Sequence, residues 1–422
     1  MVHRRFATVL VLFVGSCADP GVVELRQLNP SVLDGGRRHP TETYLQGQSS
    51  VDLLFVVDNS AGMKPGQDAL VSGIGTLLQR MISAHLDWRI GVVSTDLGIA
   101  PHGGPGCNTP GGDGARLQFT ARTTGCTPPP DPYITATNVA DPVAAFQCIA
   151  PLGTQGCGFE RPFDAALKAV DPLQQPSINH GFSRDTALLV VLWVTDEDDC
   201  SAQDPALYDP DQVSLGPWTS HRCFAHDIQC SGTAPDGSLT GCASGKELYL
   251  RPVTEVASQL KALKPLGSVA AVAMVGPSTP VKVDATTQTL LPSCVGNGGI
   301  QATPAVRFQE LVQGFGSSGV MLSICGADPG QQLASALAKL PTAAGPYCLR
   351  HTLRDPTRSG CIVEVTPPGK TKVAVSPSSD NAPGFRIVHP VYAGCSNGAL
   401  VFDAEVTPAA GSEVSITCDF QS

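Results

Sequence analysis

Two short stretches of the sequence are crowded with hard oxygen donors. Asp58-Asn59-Ser60 follows the apolar run Val51 to Val57, and Asp196-Glu197-Asp198-Asp199 follows Thr195 and the run Leu188 to Val194. Between them in sequence lies Gly156-Cys157-Gly158-Phe159-Glu160. Carboxylates and hydroxyls, with no thiol or imidazole at the central positions, suit Mg2+ or Ca2+. Asp58, Ser60, Glu160 and Asp196 are the candidate ligands. Mg2+ keeps several waters, so an incomplete protein shell leaves a position that a partner's carboxylate can fill. Each stretch also has a plainer reading. Asp58-Asn59-Ser60 can be a turn and helix cap, and Asp196 to Asp199 a solvated acidic loop bent by Cys200. Asp198 and Asp199 read as loop charges or a secondary calcium site, and Asp96 as a further contributor. Enzyme signatures are missing: no HExxH, no GxSxG elbow and no phosphate-binding Gly-Lys-Ser/Thr loop. His221, His226 and Asp227 form the one local histidine cluster.

These residues need rigid elements behind them, and the hydrophobic pattern supplies them. Val51 to Val57, Arg89 to Ser94, Leu188 to Val194, Ser268 to Val275 and Gly319 to Ser323 read as buried strands. Amphipathic helices fall between them at Pro65 to Ala84, Asp164 to Val170, Glu247 to Lys264, Val306 to Gly314 and Gln331 to Leu340. Strands apolar on both faces and separated by helices require an α/β fold with a doubly wound, mostly parallel sheet. Ligands gather at the carboxyl ends of such strands, where the acidic stretches lie. Segments from about Leu97 to Leu152 and Ser201 to Gly245 read as disulfide-stapled loop insertions near that rim.

At this point the chain resembles the von Willebrand factor A domain family. Asp58 and Ser60 match the first part of its Asp-x-Ser-x-Ser motif, and Asp196 matches the aspartate after the fourth strand. With its many cysteines, the chain is similar to cysteine-rich lipoproteins of this family from myxobacteria. The resemblance covers roughly Val51 to Leu340 and implies a Rossmann-like fold with a metal-ion-dependent adhesion site. Gly62 stands where the family has a second serine, and Glu160 falls near its middle-loop threonine. One hydroxyl ligand is therefore missing and one carboxylate added.

The first residues read as an export signal. Arg4 and Arg5 precede an apolar run, and Val14-Gly15-Ser16-Cys17 resembles a bacterial lipobox, with Cys17 as the lipid attachment site. An ordinary signal peptide with an incidental cysteine is the other reading. The chain has 15 cysteines; setting Cys17 aside leaves an even number for disulfides in an oxidising compartment. Neighbours in sequence suggest Cys107–Cys126, Cys148–Cys157, Cys200–Cys223, Cys230–Cys242, Cys294–Cys325, Cys348–Cys361 and Cys395–Cys418, although spacing cannot fix the connectivity. A net charge of −10, with 15% charged residues and no basic cluster, argues against nucleic-acid binding.

The expected organisation is a lipoprotein signal over 1–17, a flexible tether over 18–49, the α/β domain over 50–342 and a small disulfide-stapled β module over 343–422. The functional expectation is a cell-envelope lipoprotein, placed at the outer membrane because Ala18 is not the aspartate of an inner-membrane retention signal. It would bind a protein or cell-surface ligand through a carboxylate on the bound cation, without catalysis. The alternatives are a metal-free structural or interaction protein and a metal-dependent hydrolase.

Overall fold

The computed structural model describes residues 50–339 apart from 84–85, 123, 172–178, 186, 246–247 and 265–267. Before them it describes 22–23, 29–31 and 39–46, and after them 347–420 apart from 355–359, 368, 380–381, 389–396, 404–405 and 409–411. The signal segment with Cys17, together with Cys395 and the side chain of Cys348, lies outside the described residues.

The central sheet has six strands: β1 (Ser50–Val57), β2 (Asp87–Ser94), β3 (Ile134–Thr135), β4 (Leu188–Val194), β5 (Val269–Val275) and β6 (Gly319–Ser323). Their spatial order is β6-β5-β4-β1-β2-β3. All neighbours run parallel except β3, which pairs antiparallel with β2. The order reverses beside β1, so the carboxyl ends of β1 and β4 flank the crevice where ligands settle in such sheets. Among the described residues six helices cover the faces: α1 (Lys64–Ser83), α2 (Pro142–Ile149), α3 (Pro162–Val170), α4 (Val253–Ala262), α5 (Val306–Gly314) and α6 (Pro329–Lys339). Val51, Leu53, Phe55 and Val57 pack with Leu70, Phe146 and Leu333 from α1, α2 and α6. Leu54 and Val56 point the other way, to Phe163, Val256 and Phe308 from α3, α4 and α5. This two-sided burial is why the strands carry no polar alternation. The doubly wound, mostly parallel sheet is the one expected.

Three expectations fail. The stretch expected as a tether contains the strand His39–Gln46, paired antiparallel with Glu413–Thr417, which in turn pairs with Ile362–Thr366. Its buried Glu42 explains the attachment: the carboxylate accepts from the His351 and Arg350 backbone amides at 3.0 and 3.2 Å and from the Tyr44 hydroxyl. The β module is thus built from residues on both sides of the α/β body.

Second, the cysteines pair by folded proximity and not by sequence neighbourhood. Cys107 joins Cys157 and Cys126 joins Cys148, with Cα separations of 4.3 and 5.6 Å. Helix α2 carries Cys148 to the core side of the first insertion, while Cys157 stays in the loop beneath Cys107. Likewise Cys361 joins Cys418 across paired strands, not Cys348, and Cys418 does not join Cys395. Cys200–Cys223, Cys230–Cys242 and Cys294–Cys325 form as expected. Third, the insertion from Leu97 to Leu152 is not all loop, because it holds β3 and α2.

Candidate functional site

Three backbone segments meet at the carboxyl ends of β1, β2 and β4. The amide of Asp58 donates to Val194 O at 2.9 Å, and Thr95 N donates to Val57 O. The middle loop is stitched in by Gly156 N to Asn59 O at 2.9 Å and by Cys200 N to Glu160 O at 2.9 Å. Gln67 on α1 reaches across the junction, donating to Asp58 O at 2.7 Å and to Gly153 O at 2.8 Å. Asp58, Ser60, Glu160 and Asp196 are therefore brought to one rim, all buried. Two disulfides, Cys107–Cys157 and Cys200–Cys223, tie the loops carrying Glu160 and Asp196 to the insertions.

Asp58 is the fixed centre. Its Oδ1 accepts the Ser60 amide at 2.7 Å, and its Oδ2 accepts the Thr195 hydroxyl at 2.6 Å. Glu160 accepts the Thr95 hydroxyl through Oε2. What remains is unusual for a protein interior. Asn59 Oδ1, Glu160 Oε1 and Asp196 Oδ1 are buried acceptors without any partner. Each such oxygen costs about 1–3 kcal/mol if nothing donates to it. The carboxyls also repel one another. Burial, then Asp58 and Glu197, push Asp196 up to about 8. Burial, then Asp58, push Glu197 up to about 7 and drive Glu160 well above the carboxylate range. Asp58 is raised by burial against the pull of Thr195 and Ser60.

Among the described residues no group of three or more His, Cys, Asp or Glu side chains forms a ready metal cage. The Thr95 and Thr195 hydroxyls each donate to one carboxylate oxygen, of Glu160 and Asp58. A hydrated Mg2+ does not need such a cage, since it accepts one or two carboxylates and keeps its waters. The three orphaned acceptors fit a cation, and no basic side chain hydrogen-bonds to them.

Gly62 has a structural reason. A Cβ there would collide with Oδ2 of Asp196. The carboxylate of Asp196 fills the space that a serine side chain would need, so the missing hydroxyl and this approach are one feature.

The other sequence candidates do different work. Asp198 accepts the Arg307 and Phe308 amides at 2.9 and 3.3 Å, capping α5. Asp199 accepts the Phe163 amide at 3.1 Å, capping α3, and pairs with buried Arg307, which also binds Asp227. Neither is a free loop charge; both brace the loop that presents Asp196. Asp96 turns its Oδ1 to the Gly98 amide at 2.8 Å, into the first insertion. The histidine cluster divides, with Asp227 held by Arg307 and His226 within 3.0 Å of Leu215 O. Thr95, Thr195, Asn59 and Glu197 were not singled out from sequence. The signal was present in Ser94-Thr95-Asp96 and Val194-Thr195-Asp196, two strand ends with the same Thr-Asp pair.

No protein-family model and no curated protein sequence matches the chain. Among solved structures, it is similar to a von Willebrand factor type A protein from Catenulispora acidiphila, at 10% identity and a TM-score of 0.30, covering 91% of this chain and 61% of that one. It is also similar to the pilus adhesin SpaC from Lactobacillus rhamnosus GG in its open conformation, at 11% identity and a TM-score of 0.32, covering 90% of this chain and 40% of the adhesin. A third is the conserved hypothetical protein BatB from Bacteroides thetaiotaomicron, at 10% identity and a TM-score of 0.28, covering 69% of this chain and 98% of that one. The chain thus spans about three fifths of the Catenulispora protein and two fifths of the adhesin. Overlap this loose carries no weight beside the strand order itself.

Proposed function

We propose that this chain is a binding protein of the cell envelope that engages a protein or surface ligand through one Mg2+ or Ca2+ held at the rim of β1 and β4. The observation that carries this reading is the set of orphaned buried oxygens, Asn59 Oδ1, Glu160 Oε1 and Asp196 Oδ1, around Asp58. A hard cation held by Glu160 and Asp196 would satisfy the last two and offset the mutual repulsion of the carboxylates. Asp58, Ser60, Glu160 and Asp196 are the residues that would hold it, and the ion would supply a coordination position for a partner's carboxylate. The role is binding, not turnover. Export and lipid attachment at Cys17, with the outer membrane as destination, complete the reading on the strength of the sequence alone.

Calorimetric titration of the chain with MgCl2 and CaCl2 tests the proposal. One saturating site is expected, weakened at least tenfold by Asp58→Asn and by Glu160→Gln. A flat titration with both salts and an unchanged melting temperature would sink it and leave a metal-free interaction surface on the same fold.

A further inference from the structure

Helices α3 and α4 border a cavity of about 470 Å³. None of Asp58, Ser60, Glu160 and Asp196 lines it. Its volume is within the roughly 300–1,000 Å³ of pockets that take small molecules. Helical periodicity builds one wall, because Asp164, Leu167, Lys168 and Asp171 recur along a single face of α3 and its C-terminal cap. Gln259 and Leu263, four residues apart on α4 and its cap, belong to the opposite wall. Leu97, Leu167 and Leu263 make the floor apolar, and the last two pack on the core beneath.

The charge of this lining is unbalanced. Arg161, just before α3, and Arg251, just before α4, converge on the buried carboxylate of Asp164. Arg161 donates to Oδ2 from Nε at 3.2 Å and from Nη2 at 2.6 Å. Arg251 Nε lies 2.7 Å from Oδ1, off the line of a hydrogen bond. One carboxylate thus answers two guanidiniums. Lys168, half-buried one turn along α3, has no ion pair among the described residues. Asp171 is the other acid of the lining, so three cations face two carboxylates. Glu255 lies 3.4 Å from Arg251 Nη1, but it is exposed and outside the lining, where water screens the pair. Nη2 of Arg251 makes no hydrogen bond among the described residues. A surplus positive charge, an ammonium and a guanidinium nitrogen with donors to spare, and a leucine floor describe a receptor for a monoanion with an apolar body. A carboxylate matches that charge, whereas a phosphate dianion exceeds it.

We propose that the cavity between α3 and α4 binds an organic carboxylate, its head held by Lys168 and Arg251 and its alkyl body laid on the three leucines. Arg161 is a positioning residue, acting through Asp164. The site does not depend on the cation reading. The test follows leucine methyl signals by NMR while the chain is titrated with hexanoate in EDTA, which keeps metal from the rim. Titrations with 1-hexanol and with inorganic phosphate run in parallel. Saturable hexanoate binding is expected, weakened about tenfold by Lys168→Gln and by Arg251→Gln, each checked for an unchanged melting profile. If Arg251→Gln fails to fold, Lys168→Gln decides, because the lysine head pairs with no other group. Absent hexanoate binding, equal binding of 1-hexanol, tighter binding of phosphate, or an affinity unmoved by the variants that fold overturns the assignment. Any of these results leaves the magnesium titration to be judged on its own.

Discussion

At the scale of single residues, the candidate site is held by neighbours more than by its own ligands. Thr95 and Thr195 fix Glu160 and Asp58, and Gly62 makes room for Asp196. The site's acids sit above their ordinary range, and this has a pH consequence. An acid whose folded pKa is raised binds more protons folded than unfolded between the two values. Stability is then fully present below the unfolded carboxylate range near 4 and is lost as pH rises through the folded values, about 7 for Glu197 and 8 for Asp196. In chelator, the melting temperature should fall from pH 5 to pH 8. Mg2+ or Ca2+ should restore it at pH 8 and change little at pH 5. A melting temperature that rises over that interval in chelator would contradict the clustering of these carboxyls. The sequence showed the oxygen donors but not their burial, because solvation depends on which loops fold over them.

At the scale of elements, the sheet was legible and its coverings were less so. Continuous apolar runs such as Leu188–Val194 mark strands buried on both faces, and five expected strands are present with ends within two residues. Two elements of the central sheet and its helical layers escaped. The strand Ile134–Thr135 is two residues long, too short for any period. Helix α2 lies within a Gly- and Pro-rich stretch, although Asp141 and Pro142 form a proper start, with the Asp141 carboxylate accepting the Ala144 amide at 3.0 Å. Helix α4 starts at Val253, not Glu247, because Pro252 begins the turn. Close helix contact depends on glycine at one place: a Cβ on Gly73 of α1 would meet the backbone of Gly330 at the start of α6. Gly73→Ala should force the helices apart and cost about 1–3 kcal/mol by overpacking. Urea unfolding would read this directly, and an unchanged midpoint would mean the helices have slack.

At the scale of the molecule, the α/β body stands between two parts of a β module whose core includes Tyr44 alongside Val363, Val414, Ile416 and Phe402. Removing residues 1–46 deletes Tyr44, Glu42 and a strand of that sheet. Limited proteolysis of the shortened chain should cut the module rapidly while the body stays intact and still binds MgCl2. A module that resists protease as before would show that the strand is dispensable. This arrangement could not be read from composition. His39–Gln46 shows no clean alternation, and its partner strand lies in a distant part of the chain.

That pairing also sets an order in time. Thr41 and Thr417, hydrogen-bonded at 2.7 Å, are 376 residues apart in the chain. The early strand must wait for a mate 376 residues later, while the body between them can already condense. Through that interval its amides and carbonyls form an open edge, available to any other extended chain nearby. Export machinery or a chaperone that keeps this segment occupied would raise the yield of correctly closed molecules.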